Sequence, residues 1–114
     1  MVMVAVHPNR YSHHLIQMSG LFALHLLYQD QADLLGRFKG VEPGKKFASI
    51  GWARGKTGCP ILKSCAAFLE CKVTATYSPG NHTLFIGEVK NGRVLSKERP
   101  LSTLDHSSIY LGKE

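Results

Sequence analysis

No apolar run in this 114-residue chain approaches the roughly 20 residues that a membrane-crossing helix needs. The short apolar stretch from Met1 to Val6 has no basic region ahead of it and ends at His7-Pro8-Asn9, so it does not read as a signal peptide. Cysteine is scarce and odd in number. Cys59, Cys65 and Cys71 recur at six-residue intervals, which fits reduced cytoplasmic thiols better than a disulfide scaffold. If Cys65 and Cys71 lie on one extended strand, their Cα atoms are about 20 Å apart. Tetrahedral zinc gathers its ligands far more closely, so the spacing predicts buried small side chains and no metal site. Acidic residues are few, 8 against 14 lysines and arginines, and the surplus of positive charge favours anionic partners. The densest basic neighbourhood, Lys45, Lys46, Arg54, Lys56 and Lys63, carries no nucleic-acid motif. There is no row of stacking aromatics either. A basic barrel binding single-stranded nucleic acid is therefore the weakest reading of the charge, and internal repeats and low-complexity segments are lacking too.

The length and the apolar content, 44%, suit one globular domain spanning residues 1–114. Met1–Val6 reads as a strand. Pro8 and Asn9 are turn residues, and Ser12 is placed to cap a short helix through Gln17 that Ser19-Gly20 would end. "LFALHLL" alternates as a strand, with Phe22, Leu24 and Leu26 on one face and Ala23, His25 and Leu27 on the other. "QDQADLLGRF" has the spacing of a second short amphipathic helix. From Lys39 to Lys63, five glycines and two prolines interrupt every regular pattern and predict a long surface connection.

"AAFLECKVTATY" alternates again, placing Ala67, Leu69, Cys71, Val73, Ala75 and Tyr77 on one face. Pro79-Gly80 suits a type II turn, and Asn91-Gly92 suits a tight type I′ hairpin. Together these predict a three-stranded meander over residues 66–96, followed by one short strand near Ile109 and Tyr110. Several strands with two short helices point to a mainly β, antiparallel, Greek-key-like barrel.

Two places stand out chemically. "HPNRYSHH" joins a strand end to a helix start, where exposed backbone N–H groups and the helix dipole favour a phosphate. Asn9, Arg10, Ser12 and His13 would complete that cradle, and an ordinary capped turn is the alternative. His82 stands at a strand end beside a loop, where functional groups gather; its alternative is a strand-capping histidine bonded to the turn. Glu70 and Glu88 read as structural hydrogen-bonding carboxylates on neighbouring strands. His25 reads as a packed, hydrogen-bonded strand residue, and Trp52 as a core residue.

Three segments, "HPNRYSHHLIQMSGLFALHLL", "FLEC" and "GNHTLFIGEV", with "GWARGKTGCPIL" between them, resemble the flavin reductase-like family in the family's order. The resemblance covers residues 2 to about 104 and implies an FMN-binding split β-barrel. It also implies NAD(P)H as hydride donor to FMN, with FAD the alternative flavin. By resemblance, "HPNRYS" corresponds to the region that holds the flavin phosphate, and His82 to a histidine near the flavin and nicotinamide. A histidine there can donate a hydrogen bond to charge developing on the flavin. The family carries further strands ahead of the point matching Met1, so the resemblance implies a barrel shortened at its N-terminus. It also implies a homodimer, and admits a flavin-dependent monooxygenase or other acceptor of reduced flavin as partner. A flavin-binding or interaction module without reductase activity is the alternative function. The thiol reading has a direct check: titration of the denatured chain without reductant should find all three cysteines reactive, and chelator-free protein should contain no stoichiometric zinc.

Overall fold

The computed structural model describes residues 1–34 and 50–102. A four-stranded antiparallel sheet has the order β1-β6-β5-β2. Its strands are β1 (Val2–Val6), β2 (Leu21–Leu26), β5 (Ala67–Tyr77) and β6 (Thr83–Val94). A separate two-stranded hairpin, β3 (Trp52–Arg54) with β4 (Pro60–Leu62), lies against it. Helix α1 (Tyr11–Ser19) connects the two edge strands β1 and β2. It ends where the sequence predicts, at Gly20 in the left-handed region (φ 70°), with the Gly20 N–H on the Ile16 carbonyl; glycine alone adopts that conformation without a Cβ penalty.

Two apolar clusters occupy opposite faces of the sheet. Phe22, Cys71 and Phe85 form one, flanked by Val2, Val4 and Val6 of β1, Ile16 of α1, and Val73 and Val89. Cys59, Ile61, Leu62, Cys65 and Phe68 form the other, between the sheet and the hairpin. The N-terminal half of β5 is thus covered on both sides, and Cys71 and Glu70 are wholly buried. All three cysteines are buried free thiols, and burial pushes the thiols of Cys65 and Cys71 up from their ordinary pKa.

Four expectations need correction. Asn91-Gly92 does not turn: β6 runs through it to Val94, so the meander is a two-stranded hairpin of long strands, with β1 as the third neighbour. The local preference of Asn-Gly for a turn is overridden because the N-terminal half of β5 needs a pairing partner along its whole length. The strand alternation of β5 holds only through Val73. An extra residue on β6, Lys90, and one on β5, Thr74, interrupt the pairing, and the Thr74 bulge turns Ala75 and Tyr77 to the face opposite Val73. The reversal between β5 and β6 occurs as expected, but as a bend over residues 78–82 in which Gly80 lacks the positive φ of a type II turn. Finally, residues 52–62 form a hairpin where a continuous surface connection is expected. Its strands, three residues each, are too short to show periodicity, and the glycines that break the pattern make its turn, Gly58 with φ 93°. Trp52 is consequently exposed on β3, with the Arg54 guanidinium 5.7 Å from its ring centre.

The second expected helix begins as a 3-10 turn, Gln29–Gln31, in which Gln31 accepts from the Tyr28 N–H, and continues helically to Leu34. Its remainder, residues 39–49 of the expected Lys39–Lys63 connection, and the strand expected near Ile109 lie outside the described residues. His25 is packed and bonded as expected, its Nε2 accepting the Leu62 N–H at 3.1 Å.

The close packing of the first cluster depends on Gly87. A Cβ there would lie 2.7 Å from the Phe22 ring and 2.8 Å from the Cys71 Cβ, well inside contact distance. Gly87→Ala should therefore lower stability by about 1–3 kcal/mol, measured from the urea unfolding midpoint at unchanged m-value.

Candidate functional site

Antiparallel pairing of β1 with β6 ends at Val6 opposite Thr83. That register fixes which loops meet. The chain leaving β1, His7 to Arg10, lies beside the chain entering β6, Asn81 to Thr83, and the His7 and His82 rings contact edge to face at 5.3 Å between centres. The loop is shaped by its own backbone: the Asn9 N–H donates to His7 Nδ1 at 3.1 Å, and the Arg10 N–H to the His7 carbonyl at 3.0 Å. Helix α1 begins directly after it.

Arg10, not Ser12, is the N-cap residue, with extended backbone and no side-chain capping bond. The helix starts two residues earlier than the serine pattern suggests because the turn closes through the His13 N–H to the Arg10 carbonyl. Ser12 is instead an exposed residue of the first turn. No acidic side chain stands in that turn, so the positive end of the helix dipole is not neutralised locally.

His13, one turn into the helix, faces the sheet. Its Nε2 is 2.7 Å from the Thr83 hydroxyl, and its ring lies edge-on to Phe85 at 5.2 Å. Thr83 is buried, so this bond ties α1 to the first residue of β6. His82, half-buried, has Nδ1 2.8 Å from the Asn81 side-chain oxygen. An amide oxygen only accepts, so Nδ1 carries the hydrogen.

The structure therefore brings together Asn9, Arg10, Ser12, His13 and His82 at one end of the sheet. Asn9 and Ser12 are exposed, while Arg10 and His13 are half-buried. Two residues of this cluster were not singled out from the sequence: His7, which packs on His82, and Thr83, which binds His13. The signal for both is pairing across β1 and β6, which a single sequence does not display. Glu70 and Glu88 are structural, as expected. Glu88 pairs with Lys90 at 3.2 Å on the surface, while the buried Glu70 carboxylate accepts from Asn91, from the Thr57 hydroxyl and from the N–H groups of Thr57 and Lys56.

The flavin reductase like domain matches residues 1–110, and the chain belongs to that family. Over 99 residues it is 31% identical to the reductase subunit of a flavin-dependent monooxygenase from Mycobacterium tuberculosis, a match covering 87% of this chain and 52% of that protein. It is 29% identical to a ferric-chelate reductase (NAD(P)H) from Archaeoglobus fulgidus, over 98% of this chain and 69% of the relative. Among solved structures, an NADH:FAD oxidoreductase of Streptomyces globisporus C-1027 superposes with a TM-score of 0.80 at 26% identity, covering 86% of this chain and 60% of that one. The curled antiparallel sheet with its connecting helix is thus the flavin reductase fold. The chain spans about half the length of the first of these curated relatives. No helix among the described residues is long and apolar enough to cross a membrane.

The His13–Thr83 bond is open to test on its own. Thr83→Val keeps the volume and removes the hydroxyl, so it should cost about 1 kcal/mol of stability in thermal unfolding and shift the ring nitrogen resonances of His13.

Proposed function

We propose that this chain binds flavin, FMN in preference to FAD, at the cluster formed by "HPNRYS" and "NHT", and that NAD(P)H is the hydride donor to that flavin. The observation that carries this reading is the Val6–Thr83 register, which sets the N-terminal turn of α1 beside His82 within a flavin reductase fold. The donor set suits the group: backbone N–H groups of an unneutralised helix start, the Ser12 hydroxyl, the Asn9 amide and the Arg10 guanidinium are all complementary to a phosphate. Flavin supplies the redox chemistry when bound. The chain supplies position and charge. Ser12, Asn9, Arg10 and His13 bind and orient the phosphate end. His82, its ring oriented by Asn81 and His7, presents an imidazole to the ring end, where a hydrogen bond to accumulating negative charge lowers the barrier.

Dimerisation belongs to the same proposal. Among the described residues strand β1 is a sheet edge without a charged side chain, and on the outer face Met3 is 60% and Tyr77 57% exposed. Natural sheets cover or charge such edges, and pairing with a second copy would cover this one. The relatives that are reductase components of monooxygenases support a monooxygenase as acceptor of the reduced flavin, and three cysteines that form no disulfide support a cytoplasmic location. The second reading is a flavin-binding module that does not itself turn over NAD(P)H.

Titration of the purified chain with FMN, followed by visible absorbance and then NAD(P)H oxidation, separates the two readings. Ser12→Ala should weaken FMN binding about three- to tenfold with little change in stability, since Ser12 is not the cap. His82→Asn should slow flavin reduction about tenfold or more while leaving FMN affinity within a factor of a few. Unchanged FMN affinity in Ser12→Ala would remove the phosphate assignment. A monomer in sedimentation would remove the dimer.

A further inference from the structure

The β3–β4 hairpin shares no ladder with the four-stranded sheet. Among the described residues it is held there by Cys59, Ile61 and Leu62, by a long contact from the Cys65 thiol to the Leu62 carbonyl and by two stronger polar anchors. At its turn, the N–H groups of Lys56 and Thr57, at 3.2 and 2.9 Å, and the Thr57 hydroxyl donate to the Glu70 carboxylate. Gly55 passes so close that a Cβ would overlap the same carboxylate. At the end of β4, the Leu62 N–H donates to His25 Nε2. The two anchors have a common requirement. Every partner of Glu70, Asn91 included, is an uncharged donor, so the carboxyl must be ionised to accept them all. His25 must keep a lone pair on Nε2, because a protonated ring would point N–H at N–H.

We propose that the β3–β4 hairpin is an acid-released flap, latched by Glu70 and His25, whose undocking uncovers Cys59 and Cys65 while the four-stranded sheet stays folded. Cys59, on the hairpin itself, and Cys65, just after it, both lie in the cluster between hairpin and sheet, whereas Cys71 lies in the cluster on the other face. Among the described residues, the charged side chains nearest the anchors along the chain and ladder are those of Lys56 and Arg54 on the hairpin, Lys63 after it, Arg93 on β6 and, lining one pocket with Lys63 at the hairpin's open end, Asp30 and Asp33. The two aspartates stand at the end away from Glu70.

Burial opposes the charge on Glu70, but the bonds from Asn91, Thr57 and Lys56 outweigh it and hold the carboxyl below its ordinary 4.5. Burial holds His25 below its ordinary 6.5. Both groups are lowered in the docked state, so both support docking in full above their ordinary values. That support is lost as pH falls, from 6.5 downward for His25 and from 4.5 downward for Glu70, through their docked-state values.

The chain carries its own reporters, since Trp52 on β3 is its single tryptophan. Between pH 7 and 4, Trp52 emission and far-UV circular dichroism would be followed together, with pulses of 4,4′-dithiodipyridine mapped by mass spectrometry. Thiol rates are normalised to the denatured chain at the same pH. Release predicts a Trp52 transition at unchanged circular dichroism. It also predicts reaction of Cys59 and Cys65 roughly tenfold faster at the acid end, with Cys71 still protected. His25→Gln keeps an acceptor that does not titrate and should move the transition about one pH unit lower. Thr57→Ala removes a hairpin-side donor without touching the sheet and should move it higher, which keeps the proposal testable even if Glu70→Gln fails to fold. Equal reactivity of all three thiols together with loss of circular dichroism, no transition down to pH 4, or a midpoint indifferent to both variants would each overturn it.

Discussion

Between Phe68 and Cys71, strand β5 has protein on both faces, and one of the side chains caught there is a carboxylate. An ionised group withdrawn from water must have its oxygens satisfied by fixed donors. Glu70 obtains them from two directions at once, from Asn91 on the neighbouring strand and from the turn of the β3–β4 hairpin. The hairpin in turn covers Phe68 and Cys65. The second layer of the molecule is therefore positioned by the need to solvate a single charge without water. The same need requires glycine at position 55, where the backbone approaches the carboxylate too closely for a side chain.

The other end of the sheet follows a different logic. There the determining contact is a register, Val6 opposite Thr83, and the polar groups it gathers are left accessible. His13 bonded to Thr83, and His7 packed on His82, make a framework that holds the exposed donors of the first helical turn in place. Satisfied polar groups are buried at one end, and partly exposed ones are presented at the other. That contrast separates a structural carboxylate from the candidate flavin site more clearly than residue type does.

Much of this was legible in the sequence where local chemistry decides the structure. Gly20 as helix stop, the alternation of Leu21–Leu26, the reversal between Tyr77 and Thr83 and the strand-turn-helix at "HPNRYS" all depend on residues within a few positions of one another. The failures share a cause. Asn91-Gly92 has the local chemistry of a turn, yet Asn91 is held in strand by its bond to Glu70 and by pairing across to β5, twenty-one residues away in sequence. Ser12 has the chemistry of a cap, but the helix begins where the chain leaves β1, which depends on β6. The hairpin over residues 52–62 is stabilised from outside, by Glu70 and His25, so its own short strands carry no pattern to read. His7 became notable only once β1 was paired.

The two bulges on the β5–β6 ladder have a consequence for how this sequence can change length. Lys90 is an extra residue on one strand and Thr74 an extra residue on the other, so the pairing beyond the second returns to the phase it had before the first. Between them, the offset lets Asn91 reach Glu70 on one face while Val89 packs with Cys71 on the opposite one. Deleting either bulge alone would slide one end of the ladder by a residue and turn its side chains over, sending Phe85 outward or Asn91 away from its carboxylate. Insertions and deletions in these strands are therefore tolerated only in compensating pairs, one on each strand, and the spacing between "FLEC" and "GNHT" is locked to the spacing between "GNHT" and Asn91.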